Sequence, residues 1–238
     1  MAAGDHGMPA APVRMAWLPC KGGNFHRTFT TGATALAPVA IRGHPPTMLS
    51  VLDSPTLRAR VSPLSVASYH RLCESDPRAI RTELIRGIVI EKTSKSPLHG
   101  TIASLLQDAL TPQLPAGVLL RREEPLTLRD SEPEPDLAVV TGARRDYLRA
   151  HPATALLAIE VAVTSPEDDR ALAEIYAEAG VGEYWVVLAK ERAIEVFRQP
   201  EELAYREMRR YEFADELVCS TVPGVKVVLA DLFAGISA

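Results

Sequence analysis

The spacing of apolar and polar residues becomes regular at Ser65. Val66, Tyr69, Leu72 and Cys73 recur at helical intervals and predict a short amphipathic helix. Glu83 to Glu91 supplies two β-rich runs on either side of Arg86-Gly87, a tight-turn pair, and predicts a hairpin. The period then lengthens: Ile102, Leu105, Leu106 and Leu110 share one face of a helix running from His99 to Leu110, and Pro112 prevents much continuation. Val118 to Leu128 reads as one strand or a pair, and Pro135 to Val140 as another, opened by a proline that suits a strand's first residue. Ala155 to Val163 is almost continuously apolar, as a central strand buried on both faces should be, yet Glu160 sits in its middle. The helix predicted over 166–179 has Pro166 at its start, Glu167, Asp168 and Asp169 in its first turn and Gly180 as its stop. Runs at 183–188 and 193–198 and a polar, hairpin-like tail ending at Val225–Leu229 complete the pattern. The sum is an α/β domain with a mixed β-sheet and two principal helices, placed at residues 63–234.

Composition divides the chain. Of its 238 residues, Met1–Ser50 holds four Lys or Arg against one acid, Asp5, leaving 22 basic and 29 acidic residues, a net of −7, for the remainder. The same stretch carries 6 of the 14 glycines and 6 of the 19 prolines without a helical or strand period. Residues 1–62 are therefore read as a poorly ordered leader, with a true start near Met48 or a weak organelle-targeting signal as open alternatives. No secretory signal pattern develops after Arg14. No apolar run is long enough to cross a membrane, and Cys20, Cys73 and Cys219 form neither a disulfide framework nor a zinc spacing. A soluble cytoplasmic protein is expected. Its formal charge of −4 argues against coating nucleic acid by net charge, so any such role needs a specific site.

Two acids stand where acids are costly. An ionised carboxylate inside a buried strand costs several kcal/mol unless paired, hydrogen-bonded or bound to a cation. Alternation puts Glu160 on one face with Ala158 and Ala162, small neighbours that leave room beside it. Asp136 heads the preceding apolar strand behind Ser131-Glu-Pro-Glu-Pro. Convergent carboxylates of this kind suit a hard cation, Mg²⁺ or Mn²⁺. The competing reading pairs Glu160 with an arginine and leaves Asp136 to cap a strand.

The order of these acids, with Glu83 in the hairpin, Asp136 after a proline at a strand start and Glu160 inside the next core strand, resembles the PD-(D/E)xK nuclease fold. The wording resembles its Uma-two family in Leu64-Ser-Val-Ala-Ser-Tyr-His-Arg-Leu, Glu83-Leu-Ile-Arg-Gly, Ser96-Pro-Leu-His99, Ser131-Glu-Pro-Glu-Pro-Asp-Leu-Ala-Val-Val, Ala158-Ile-Glu-Val and Tyr176-Ala-Glu-Ala-Gly-Val-Gly-Glu-Tyr-Trp-Val-Val. The resemblance implies a restriction-endonuclease-like core, with the mixed sheet flanked by helices. It also implies metal-dependent hydrolysis of DNA phosphodiester bonds, with Asp136 and Glu160 as ligands of Mg²⁺ or Mn²⁺ and Glu83 as a further member of the site. A lysine normally completes that set. Here Ala162 stands at the E-x-K position, and Leu172 or Ala173 where the Uma-two branch places its lysine in the following helix.

Three readings of that gap are open. A basic residue from elsewhere substitutes, with Arg170, Lys92 and Lys95 as candidates; or the enzyme works slowly without one; or the protein is a catalytically inactive nuclease fold that binds nucleic acid or a protein partner. Arg170 is the preferred stand-in because it lies near the start of its helix, although it would act only electrostatically, and an ion pair with Glu167 or Glu174 is favoured over that role. His99 is read as a first-turn residue bonding a loop ahead of a supporting role at the site, and Tyr176, Tyr184 and Trp185 as packing. Arg121-Arg122, Arg144-Arg145 with Arg149, and Arg206 with Arg209-Arg210 are the basic clusters available to DNA. Partnership with DNA is expected, a homodimer is left open, and no membrane association is expected.

Overall fold

The computed structural model describes residues 54–236, so the expectations placed on residues 1–53 lie outside the described residues. Within the stretch read as leader, Ser54 caps a single turn, α1 (Pro55–Arg58). Helix α2 (Val66–Ser75) starts where Ser65 Oγ accepts the Ser68 backbone N–H at 3.2 Å, which satisfies one of the first turn's unpaired donors. Strands β1 (Thr82–Ile85) and β2 (Ile88–Glu91) form the expected hairpin. Its two-residue turn has Arg86 and Gly87 at φ 52° and 75°, the left-handed pair that matches the twist of the flanking strands. Leu84 also bridges to Glu132, which docks the hairpin on the segment leading into the sheet.

Helix α3 (Pro97–Leu110) begins two residues ahead of the expected His99, because Ser96 is an N-cap and Pro97 supplies a preset first position without forfeiting a hydrogen bond. The main sheet follows: β3 (Val118–Arg122), β4 (Leu137–Thr141), β5 (Leu157–Ala162), β6 (Glu183–Leu188), β7 (Ala193–Glu201) and β8 (Ala204–Tyr211), in that spatial order. Only β5 and β6 run parallel, and helix α4 (Pro166–Glu178) makes the crossover that a parallel pair requires. A small pair, β9 (Glu216–Val218) with β10 (Lys226–Val228), and a turn of helix, α5 (Leu229–Leu232), close the chain.

Two sequence expectations change. Val118–Leu128 is half strand: β3 stops at Arg122 and Glu123 turns to φ 52°, while Leu126 and Leu128 are buried outside any strand, their N–H groups donating to the Pro133 and Ser131 carbonyls. The polar tail holds β8 as well as the β9–β10 pair; β8 pairs along β7 as an edge strand and keeps its polar positions in solvent, so its low apolar content hid it.

Strand β5 divides the core. Leu157, Ile159 and Val161 pack with Ile102, Leu106 and Leu110 of α3. Ala158 and Ala162 face the other way, onto Ile175 and Tyr176 of α4 and Tyr184 of β6.

Candidate active site

The ladder between antiparallel β4 and β5 ends at Leu137 opposite Ile159. One step further, Asp136 comes opposite Glu160, on the α4 side of the sheet, and Pro135 has no N–H with which to continue pairing. Side chains take over where the backbone stops. Glu160 Oε2 accepts the Asp136 backbone N–H at 3.2 Å, and Asp136 Oδ2 accepts the Val161 backbone N–H at 2.8 Å. Both acids are buried, 3% exposed for Asp136 and 8% for Glu160.

The loop from β2 to α3 and the first turn of α3 supply basic groups to Asp136. Lys95 Nζ donates to Asp136 Oδ1 at 2.8 Å and lies 3.2 Å from Glu123 Oε1. His99, in the first turn of α3, places Nε2 at 2.8 Å from Asp136 Oδ2. Burial pushes the Asp136 carboxyl up, but the bonds from His99 and Lys95 outweigh it and hold the group below its usual range.

Glu160 is less compensated. Its Oε1 accepts the Tyr176 hydroxyl at 2.9 Å. Burial, followed by the charges of Asp136, Asp169 and Glu83, still pushes its carboxyl well above the ordinary value. Asp169, in the first turn of α4, rises to about 7 through burial and then the charges of Asp136 and Asp168. Glu83 also rises to about 7, chiefly through burial; Lys92 pulls it down and Glu134 pushes it up. Four acids thus press on one another, opposed by Lys95 and His99 at Asp136 and by Lys92 at Glu83, and a bound cation would relieve the repulsion that remains.

The donor set fits a hard divalent cation in kind, since carboxylate oxygens are its preferred ligands. Among the described residues no three His, Cys, Asp or Glu side chains stand together as a complete metal site. Mg²⁺ does not need one, because it is commonly held by one or two carboxylates, with water and substrate phosphate filling the remaining positions.

Residues 66–230, which contain every acid and base of this site, match the family model described as "Putative restriction endonuclease". The chain belongs to the Uma2 family. Four solved chains also match. One is a putative nuclease belonging to DUF820 from Anabaena variabilis, 19% identical, with 72% of this chain and 98% of that chain covered and a TM-score of 0.57, a likeness of fold. None of the curated proteins matches the chain.

Of the acids that the Uma2 resemblance marks, the structure joins Asp136 and Glu160 directly and sets Glu83 within electrostatic reach of Glu160. Arg170 is not brought to them: its guanidinium forks onto Glu195 of β7 at 2.6 and 2.8 Å, a partner two strands along the sheet from Glu160. Lys92 pairs with Glu134. Leu172 and Ala173 pack against the α4-side core, which leaves no lysine in that helix face.

The basic clusters are largely spoken for. Arg121 is bonded to Glu124 and His151, Arg206 to Glu201, and Arg210 to Glu191 and Glu212. Arg144 and Arg145 form an exposed turn beyond the opposite end of β4, at least five strand residues, about 17 Å, from Asp136. Sequence reasoning undervalued His99, Tyr176 and Asp169. The available signal was that each carries a polar group on the face of a helix that otherwise packs; only the fold shows that those faces meet Asp136 and Glu160.

Proposed function

We propose that this Uma2 protein is a divalent-cation-dependent endonuclease that hydrolyses DNA phosphodiester bonds. The observation that carries the reading is the buried Asp136–Glu160 pair at the end of the β4–β5 ladder, with Glu83 and Asp169 adding negative charge that Lys95 and His99 only partly balance. Asp136 and Glu160 would hold Mg²⁺ or Mn²⁺, with Glu83 as a further member of the site. The bound cation would polarise the phosphoryl oxygen and lower the pKa of a coordinated water.

The chain's own groups prepare that chemistry. His99 and the Val161 N–H fix the Asp136 carboxylate in one orientation, while Tyr176 and the Asp136 N–H fix that of Glu160. In the reaction the oxygen of water bonds to phosphorus as the bond from phosphorus to the leaving sugar oxygen breaks. The leaving oxygen gains a proton, and the products are a phosphomonoester and an alcohol.

A plasmid-nicking assay with Mg²⁺ or Mn²⁺ tests the reading against Asp136→Ala and Glu160→Ala. Loss of at least about 100-fold in rate in both variants is expected, the scale of removing a group that stabilises developing charge. Equal cleavage by wild type and variants would mean contamination.

A second reading, an inactive nuclease fold that retains binding, is favoured by one observation. Both positions at which the resemblance expects a lysine are apolar and packed, Ala162 in β5 and Leu172–Ala173 in α4. Wild-type protein that binds Mn²⁺ and DNA but nicks neither supercoiled nor linear substrate would establish it.

A further inference from the structure

Only one of the three basic candidates, Arg170, Lys92 and Lys95, reaches the acid pair. Lys95 lies between two anchored points of the loop: Lys92 N–H donates to the Arg81 carbonyl at 2.8 Å, and Ser96 caps α3. That short span carries the Lys95 ammonium to Asp136 Oδ1 at 2.8 Å and Glu123 Oε1 at 3.2 Å.

Exposure separates its place from that of its partners. The side chain of Lys95 is 39% exposed, whereas the side chains of Asp136 and His99 are 5% and 12% exposed. The ammonium therefore stands at the mouth of the site, between the buried acid and the solvent from which a phosphate backbone arrives. An ammonium has three N–H donors, and Asp136 and Glu123 take two. The third remains for a phosphoryl oxygen or the attacking water.

We propose that Lys95, delivered by the β2–α3 loop, is the catalytic lysine of this chain and takes the role for which β5 and α4 carry no lysine. In the metal-free protein its charge stabilises Asp136. With a divalent cation held at that carboxylate, the flexible stem would let the ammonium turn to the phosphoryl oxygens, on which negative charge builds as water's oxygen bonds to phosphorus and the bond to the leaving sugar oxygen breaks. The lysine stays protonated throughout, so a point charge at that place is what matters.

This inference rests on the nuclease reading, and the experiment separates the two. Full-length wild type, Lys95→Met and Lys95→Arg are compared by plasmid nicking with Mn²⁺, by calorimetric titration with Mn²⁺ alone and by thermal melting. For Lys95→Met the expected result is a rate loss of at least about 100-fold with Mn²⁺ affinity no weaker than wild type and the fold retained. Lys95→Arg should recover part of the rate, because it restores charge but not the geometry. Lys95→Met cleaving within about threefold of wild type overturns the assignment and leaves the nuclease reading standing. Loss of Mn²⁺ binding in parallel with cleavage also overturns it, since Lys95 would then only prop Asp136. Wild type that binds Mn²⁺ but cuts no DNA overturns both. A single kinetic outcome shared by Lys95→Met and Lys95→Arg, with neither retaining activity, would argue that shape at the loop matters and not charge, and counts against the assignment.

Discussion

Asp136 and Glu160 are each held by the backbone beside the other: Glu160 Oε2 by the N–H of Asp136, and Asp136 Oδ2 by the N–H of Val161. The two carboxylates therefore close the end of the β4–β5 ladder as well as forming the site, and their chemistry is tied to the stability of the sheet.

Stability of the metal-free protein should fall as pH rises from about 5 to 8. Glu83 and Asp169 have folded values near 7, above their ordinary values of 4.5 and 3.8. An acid raised on folding stabilises the folded state fully below its unfolded value, and that contribution disappears as pH passes through the folded value. The acids lowered on folding, Asp136, Asp130 and Asp76, act in a more acid window. Melting curves across this range should show a declining Tm that flattens in Glu83→Gln and on addition of Mn²⁺. A Tm that climbs between pH 5 and 8 in the metal-free protein would sink this account.

Tyr176→Phe removes the hydroxyl that Glu160 Oε1 accepts, in a position with no exposure. The ring still fills its place, so packing is spared. The expected results are a destabilisation of about 1–3 kcal/mol, from a buried carboxyl oxygen short of a donor, and Mn²⁺ affinity about 10-fold weaker, as for other groups that orient a ligand. Calorimetry with and without Mn²⁺ reads both.

Arg170→Met should act on stability. The guanidinium ties α4 to β7 through Glu195, whose other cationic neighbour among the described residues is Arg210 at 3.9 Å. With Arg170 itself 39% exposed, the loss should be about 1 kcal/mol. That corresponds to a fall in Tm of about 2–4 °C for a domain of this size.

Gly87→Ala tests the hairpin that positions Glu83. Gly87 sits at φ 75°, and a Cβ there would lie 2.4 Å from Pro63 Cβ and 2.9 Å from Pro63 Cα. Strain of about 1–3 kcal/mol is expected from the backbone alone, with the clash in addition. Hydrogen exchange should quicken first at Leu84 and Val89, the paired centre of the hairpin; unchanged protection there would show that the Pro63 contact is dispensable.

Much of this was legible in the sequence where period and punctuation agree. The continuous apolar run of β5 announced a strand buried on both faces, and a glutamate within it had to mark a site or an ion pair. Pro166 announced the start of α4, whereas the start of α3 was placed at His99, two residues late, because the Ser96-Pro97 cap lies ahead of the first apolar residues of that face. What periodicity could not convey is which loop reaches which strand end. Lys95 lies 41 positions from Asp136, and its arrival there depends on how the hairpin docks through Leu84 and Glu132. Arg170 looked nearer because it shares a helix with the site, but its turn faces β7, and a helical rotation decided by packing is invisible to a charge count. β8 escaped for a related reason: an edge strand needs few apolar residues, so its pattern is mostly polar.

The alternation along β5 has an evolutionary corollary. Leu157, Ile159 and Val161 point to the α3 side, while Ala158, Glu160 and Ala162 point to the α4 side, where the acids meet. A saturation scan along this one strand should then split by parity, with odd positions exchangeable among apolar residues of similar volume and even positions limited by size or by charge. Within six residues, the sequence can drift on one side of the sheet while the chemistry on the other is kept.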